Sequence, residues 1–251
     1  MRTTGRILAV ATCVALTGAF AQAPAPDLKA LNDQAVSLYA TGNLPAAEAA
    51  AQKVVEATEA KLGPDHPAVA TSVNNLAAIY RSQGKYALAE PLYLRALAIR
   101  EKALGPGNLE VAVTLNNLAV LHDAQNHYEQ AEEFYRRALA IREKALPPDD
   151  ATIAATANGL GELFLAQRKY DRAEPLLKRA FEIRAKALGP KDPQTLATQK
   201  DLWTLYVSTD RLALAEEFQQ DGQVTQNEAQ RRRLVSSPMS PKGNDPTVRA
   251  R

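Results

Sequence analysis

One cysteine, Cys13, and three histidines, His66, His122 and His127, are all that 251 residues offer in thiol or imidazole chemistry. A disulfide framework is excluded by that count, and so is a Cys/His nucleophilic pair. The histidines form neither an H-x3-H nor an HExxH spacing, so no metal site is expected. A glycine-rich phosphate loop and a Gly-x-Ser-x-Gly elbow are also missing, and no cofactor, small-molecule substrate or enzymatic activity is expected. Neither sign of charge dominates: the formal net charge is +2, which gives no argument for nucleic acid or an anionic membrane as the main partner. Glycine is scarce at 12 residues while alanine and leucine are frequent, a balance that leans toward helix.

The longest apolar run, residues 7–16, is too short for a comfortable transmembrane helix. Arg2 and Arg6 precede it and Ala19-Phe20-Ala21 follows, the layout of a secretory signal peptide spanning 1–21, with a linker over 22–27. Val10-Ala11-Thr12-Cys13 is a poor lipobox because threonine precedes the cysteine. Removal of 1–21 takes away Arg2, Arg6 and the only cysteine, leaving a formally neutral chain without disulfides. Export is expected, to a bacterial periplasm in preference to an extracellular space populated by disulfide-stapled domains.

What the sequence does have is a period. Pro64, Pro106, Pro148 and Pro190 stand 42 residues apart, as do Tyr86, Tyr128 and Tyr170. Leu76, Leu118, Leu160 and Leu202 keep the same step, and so do Ala47, Ala89, Ala131, Ala173 and Ala215. Several residue types at one spacing mark an array of like units. Val73, Leu76, Ala77 and Tyr80, then Ala89, Leu92, Tyr93, Ala96 and Leu97, follow helical steps of three and four. Gly84 separates these two segments and Leu104-Gly105-Pro106 closes them, so each unit is predicted to be a helix hairpin. Pro45, Pro91 and Pro175 are expected in the first turns of second helices, where a missing amide costs little. Glu48, Glu90, Glu132, Glu174 and Glu216 recur after alanine and are expected to favour helix N-termini. His66 falls in a capping linker, His122 replaces a core tyrosine, and His127 lies in a turn.

Two repeat types compete at this length, the tetratricopeptide repeat and the longer HEAT or armadillo hairpin. Val73, Leu76, Ala77, Tyr80, Gly84, Tyr86, Ala89 and Tyr93 decide for the first. The third unit repeats the pattern with Leu115, Leu118, Ala119, His122, Asn126, Tyr128, Ala131 and Tyr135, and the fourth with Ala157, Leu160, Gly161, Phe164, Tyr170 and Ala173. The QGKY turn, RALAIREKALG second helix and GPDHP linker resemble the kinesin light chain type of tetratricopeptide repeat, over about 70–190. The resemblance implies an all-α, right-handed solenoid of about five hairpins over 28–221. Its units run 28–69, 70–111, 112–153, 154–195 and 196–221, the outer two degenerate. A polar helical extension over 222–235 and a disordered tail over 236–251 are expected to follow.

By the same resemblance, first helices line a concave face that holds partner peptides. Asn74-Asn75, Asn116-Asn117 and Asn158-Gly159 are predicted on the open side of those helices, where an amide can pair with the main chain of an extended peptide. Asn74, Asn116 and Asn158 are expected in the groove, while Asn75 and Asn117 serve either the groove or the neighbouring repeat. Ala78, Val120 and Glu162, then Arg81 and Asp123, vary between units and are expected to set selectivity. The function this implies is a non-enzymatic protein-interaction module. Two alternatives stay open: a scaffolding subunit that self-associates into a homo-oligomer, and a peripheral membrane protein held by Arg231-Arg232-Arg233.

Overall fold

The computed structural model describes residues 27–216. Among the described residues nine helices follow one another: α1 (Leu28–Ala40), α2 (Leu44–Leu62), α3 (Pro67–Ser82), α4 (Tyr86–Leu104), α5 (Leu109–Asp123), α6 (Tyr128–Ala145), α7 (Ala151–Ala166), α8 (Tyr170–Leu188) and α9 (Pro193–Ser208). A further helical stretch opens over 212–216, and no strand occurs among the described residues. The signal peptide, the 222–235 extension and the tail lie outside the described residues.

Local chemistry fixes each hairpin. Asp27, His66, Asn108, Asp150 and Asp192 cap the five first helices, each side chain accepting from the amide two residues on. His66 does so through Nδ1, 3.1 Å from the Ala68 amide. Within each hairpin the chain turns through one left-handed residue, at Gly42, Gly84, Asn126, Arg168 and Asp210, with φ between 56° and 76°. Glycine takes that conformation freely; Arg168, at φ 58°, is strained there.

The helices begin earlier than the proline positions suggest. First helices open at Pro67, Leu109, Ala151 and Pro193, three residues ahead of the 70, 112, 154 and 196 boundaries. Pro45 does sit in the first turn of α2, but Pro91 and Pro175 fall in the second turns of α4 and α8. There each forfeits one amide-to-carbonyl bond of the helical ladder.

The helix faces pack as the apolar period requires. Ala47, Ala89, Ala131 and Ala173 are wholly buried, as are Leu118 and Leu202, with Tyr93 and Tyr135 inserted between hairpins. Small residues are required at close approaches: a Cβ on Gly161 would stand 2.8 Å from the buried Leu177 side chain. The recurrent glutamates are not N-terminal dipole partners. Each is the fifth residue of its helix, past the first turn, and reaches forward to the next hairpin. Glu48 pairs with Lys85 at 2.8 Å, Glu132 with Arg172, and Glu174 with Arg211 at 2.8 Å. Glu90 meets His122 at 3.6 Å, so His122 is half of one rung as well as a buried ring.

Successive first helices meet one another, α3 with α5, α5 with α7 and α7 with α9, and second helices do not meet in this repeated way. The array therefore closes toward its first helices, which makes their outward strip the inner, concave face.

Candidate functional site: the inner face of the first helices

Beneath the inner face, three of the four described junctions are held by a buried arginine. Arg100, Arg142 and Arg184, 42 residues apart on the second helices, are 3%, 7% and 8% exposed. Arg100 donates to the Glu110 carbonyl at 3.0 Å and to Thr114 Oγ1 at 2.7 Å. Arg142 makes the same pair of bonds to the Thr152 carbonyl and Thr156, and Arg184 to the Gln194 carbonyl and Thr198. Each guanidinium thus binds the carbonyl of the second residue and the threonine hydroxyl of the sixth residue of the next first helix, and burial pulls its pKa below the usual arginine range. At the first junction Ser72 and Thr58 stand in, 3.3 Å apart.

The asparagines join this network. Thr156 donates to Asn116 Oδ1 at 3.2 Å, and Thr198 to Asn158 Oδ1 at 2.8 Å. Asn74 Oδ1 accepts from Asn117 Nδ2 at 3.1 Å. Asn74 and Asn158 are each 6% exposed, and Asn158 Nδ2 is further engaged by Glu162. The expectation that the first asparagine of each pair faces a ligand is therefore corrected: Asn74, Asn116 and Asn158 tie one hairpin to the next. Asn117 is shared, half-buried and bonded to Asn74, while Asn75 remains at the open surface. The Arg/Thr series was missed at the level of sequence, although its 42-residue recurrence was there to find.

The other expected residues all keep some exposure to solvent. Asn75, Ala78 and Arg81 of α3 and Val120 and Asp123 of α5 are half-buried, and Glu162 of α7 is exposed. At the α1 end a cavity of about 130 Å³ opens between Asn32, Val36 and Tyr39 on one side and Asn75, Ala78 and Ile79 on the other. Val36 is 52% and Tyr39 38% exposed, and the Tyr39 hydroxyl lies 2.8 Å from Ser82 Oγ. Neither residue figured in the sequence reading, though both follow Asn32 at helical steps.

The far end is acidic. Although Glu162 as a residue is exposed, burial at its carboxyl end raises its pKa, and the charge of Asp201 on α9 raises it further. Burial, then the Glu162 charge, raises Asp123. Burial likewise raises Asp201, against the pull of Lys200 and Arg184. In the middle, Arg81 lies within electrostatic reach of the Tyr93 and Tyr135 hydroxyls, both pushed up by burial, Tyr93 to about 12. Tyr93 Oη is buried without a hydrogen-bond partner among the described residues.

A family model described as tetratricopeptide repeat matches residues 27–100, 71–144 and 152–222. The chain belongs to the tetratricopeptide repeat family. Solved structures of similar fold include kinesin light chain-type repeats. One is a Podosopora anserina kinesin light chain-type protein of nearly identical TPR-like repeats, 24% identical, covering 81% of this chain and 96% of that one at a TM-score of 0.69. Another is BtubC (BKLC) of P. vanneervenii, 22% identical, covering 89% and 87% at a TM-score of 0.70. Apo RapI shares 16% identity over 83% of this chain and 73% of its own at a TM-score of 0.68. At these identities the likeness is one of fold. A comparison with curated proteins finds no match. Tetratricopeptide repeat proteins typically act as non-enzymatic scaffolds that bind protein or peptide partners.

Proposed function

We propose that this chain is an exported interaction module that lays an extended segment of a partner protein along the inner face of its first helices. What supports this is the run of half-buried and exposed first-helix residues from Val36 and Tyr39 through Asn75, Ala78, Arg81, Val120 and Asp123 to Glu162. Its side chains change character from unit to unit, while the contacts beneath it recur. A scaffold needs the recurrence, and a selective binder needs the variation.

The test is Ala78→Arg in the full chain, which fills the strip beside the cavity without touching the arginine–threonine network. Proteins captured from the native envelope fraction by the unaltered chain should be lost with Ala78→Arg at an unchanged melting temperature. Capture of the same proteins by both would refute an inner-face site. Export rests on the arginine-led apolar start and Ala19-Phe20-Ala21. A mature protein whose mass spectrum begins at Gln22 supports it, and an intact Met1 in the envelope-free fraction overturns it.

A further inference from the structure

We propose that the segment held on the inner face is basic, seating an Arg or Lys side chain among Asp123, Glu162 and Asp201 while an aliphatic or aromatic residue enters the cavity between α1 and α3. This rests on the inner-face reading above and names the chemistry of its occupant.

Three contrasts lead to it. Six glutamates of the second helices, Glu48, Glu59, Glu101, Glu132, Glu143 and Glu174, are paired with Lys or Arg. Asp123, Glu162 and Asp201 come from three successive first helices and form no ion pair among the described residues. The groups that face them are few. Arg184 lies behind, with its Nη1 directed to Thr198 and the Gln194 carbonyl; Asn158 donates to Glu162; and Lys200 is exposed on Asp201's own helix. Crowded carboxylates repel one another, and an arriving cation relieves that repulsion and receives charge-assisted hydrogen bonds. Among the described residues no group of His, Cys, Asp or Glu is arranged to hold a metal ion, so the fitting cation is a side chain.

The second contrast is polarity along the strip. The cavity end is apolar, with Val36 and Tyr39 exposed beside it, and the opposite end is acidic. Third, Arg81 stands between them and aligns with Asp123 in the repeat, so a cation is disfavoured over α3 and favoured over α5 to α9. An extended segment with an apolar residue at one end and a basic one at the other can satisfy both ends in one orientation only. Complementary charge fixes register and excludes wrong partners more than it adds raw affinity.

The experiment is a selection of displayed random twelve-residue peptides on the full chain, followed by binding of a labelled synthetic copy of the dominant peptide. Arg or Lys should be enriched. The synthetic peptide should bind at least tenfold more weakly to Glu162→Gln/Asp201→Asn and fail to bind Ala78→Arg. Peptides that Ala78→Arg blocks but that are neutral or acidic overturn the basic class and leave the inner-face reading standing. Peptides indifferent to Ala78→Arg overturn both. Recovery of binders only from Arg231→Ala/Arg232→Ala/Arg233→Ala would show that the chain's own arginines take the seat, refuting an external partner segment. No binders from either form refutes the proposal.

Discussion

Asn117 reaches back across a repeat junction and donates from Nδ2 to the buried Oδ1 of Asn74, 3.1 Å away. What reads in sequence as two awkward helix residues is in space one half of a seam. Asn116 and Asn158 meet Thr156 and Thr198 of the following hairpins in the same way. Asn74, Asn116, Asn117 and Asn158 therefore serve stability, and the proposed binding surface lies beside them.

Asn74→Ala strands a half-buried amide donor on Asn117 and removes a buried polar group. A loss of about 1–2 kcal/mol is expected from such a deletion. Urea unfolding should show the lower midpoint, and partner affinity per folded molecule should stay within twofold. A tenfold affinity loss at unchanged stability would restore Asn74 to the groove.

Arg142→Met keeps the apolar stem and removes the donors to Thr156 and the Thr152 carbonyl. Hydrogen bonds from a charged group are worth about 1.5–3 kcal/mol each in net terms, so about 2–3 kcal/mol is expected after the methionine repacks. The readout is the midpoint of chemical unfolding, with an exposed arginine such as Arg136→Met as the control that moves little.

Arg168 occupies the left-handed turn position that glycine fills at Gly42 and Gly84. Its side chain is exposed, so Arg168→Gly removes strain and no contact of note. The left-handed region costs a non-glycine residue about 1–2 kcal/mol, from which glycine's extra unfolded-state freedom subtracts up to about 1. A rise in melting temperature is expected with Arg168→Gly and none with Arg168→Ala, measured calorimetrically.

His122 is buried against Phe134, with Glu90 and His127 as its charged or titratable neighbours and Nδ1 without a partner. Burial lowers its pKa from 6.5; Glu90 opposes that shift and His127 adds to it. The folded state therefore prefers the neutral ring. As pH falls below 6.5 the unfolded chain takes up the proton first, so stability drops until the folded pKa is passed. Melting temperature against pH should slope downward below 6.5 in the native chain. In His122→Tyr, which installs the residue type of Tyr80, that part of the slope should vanish.

The hairpins and their frame were legible because different residue types marked different points at one step: alanine and leucine in the core, tyrosine after the turn, proline in the linker. Such marks are local and survive without coordinates. The role of the asparagines was not legible, because their burial depends on threonines 40 residues later in the chain, Thr156 for Asn116 and Thr198 for Asn158. Arg100, Arg142 and Arg184 recur just as plainly, yet arginine is seldom buried, and nothing local announces that the start of the next helix will cover it. Pro91 and Pro175 misled by two or three residues, since proline in a first turn is far commoner than in a second. The acidic end of the strip escaped notice for a similar reason. Asp123, Glu162 and Asp201 fall at different places in the repeat, and only the packing of successive first helices puts Glu162 within electrostatic reach of the other two.

The left-handed turn residues stand at 42, 84, 126, 168 and 210, and the three junctions from α4 to α9 share one set of arginine–threonine contacts. Cutting or copying the chain between any two of these points would remove or add one whole hairpin without creating a new kind of joint. Copy number is thus the dimension along which this architecture is free to drift. The inner face is a ruler graduated in hairpins, and gene duplication can change the length of partner segment it measures while leaving each graduation intact.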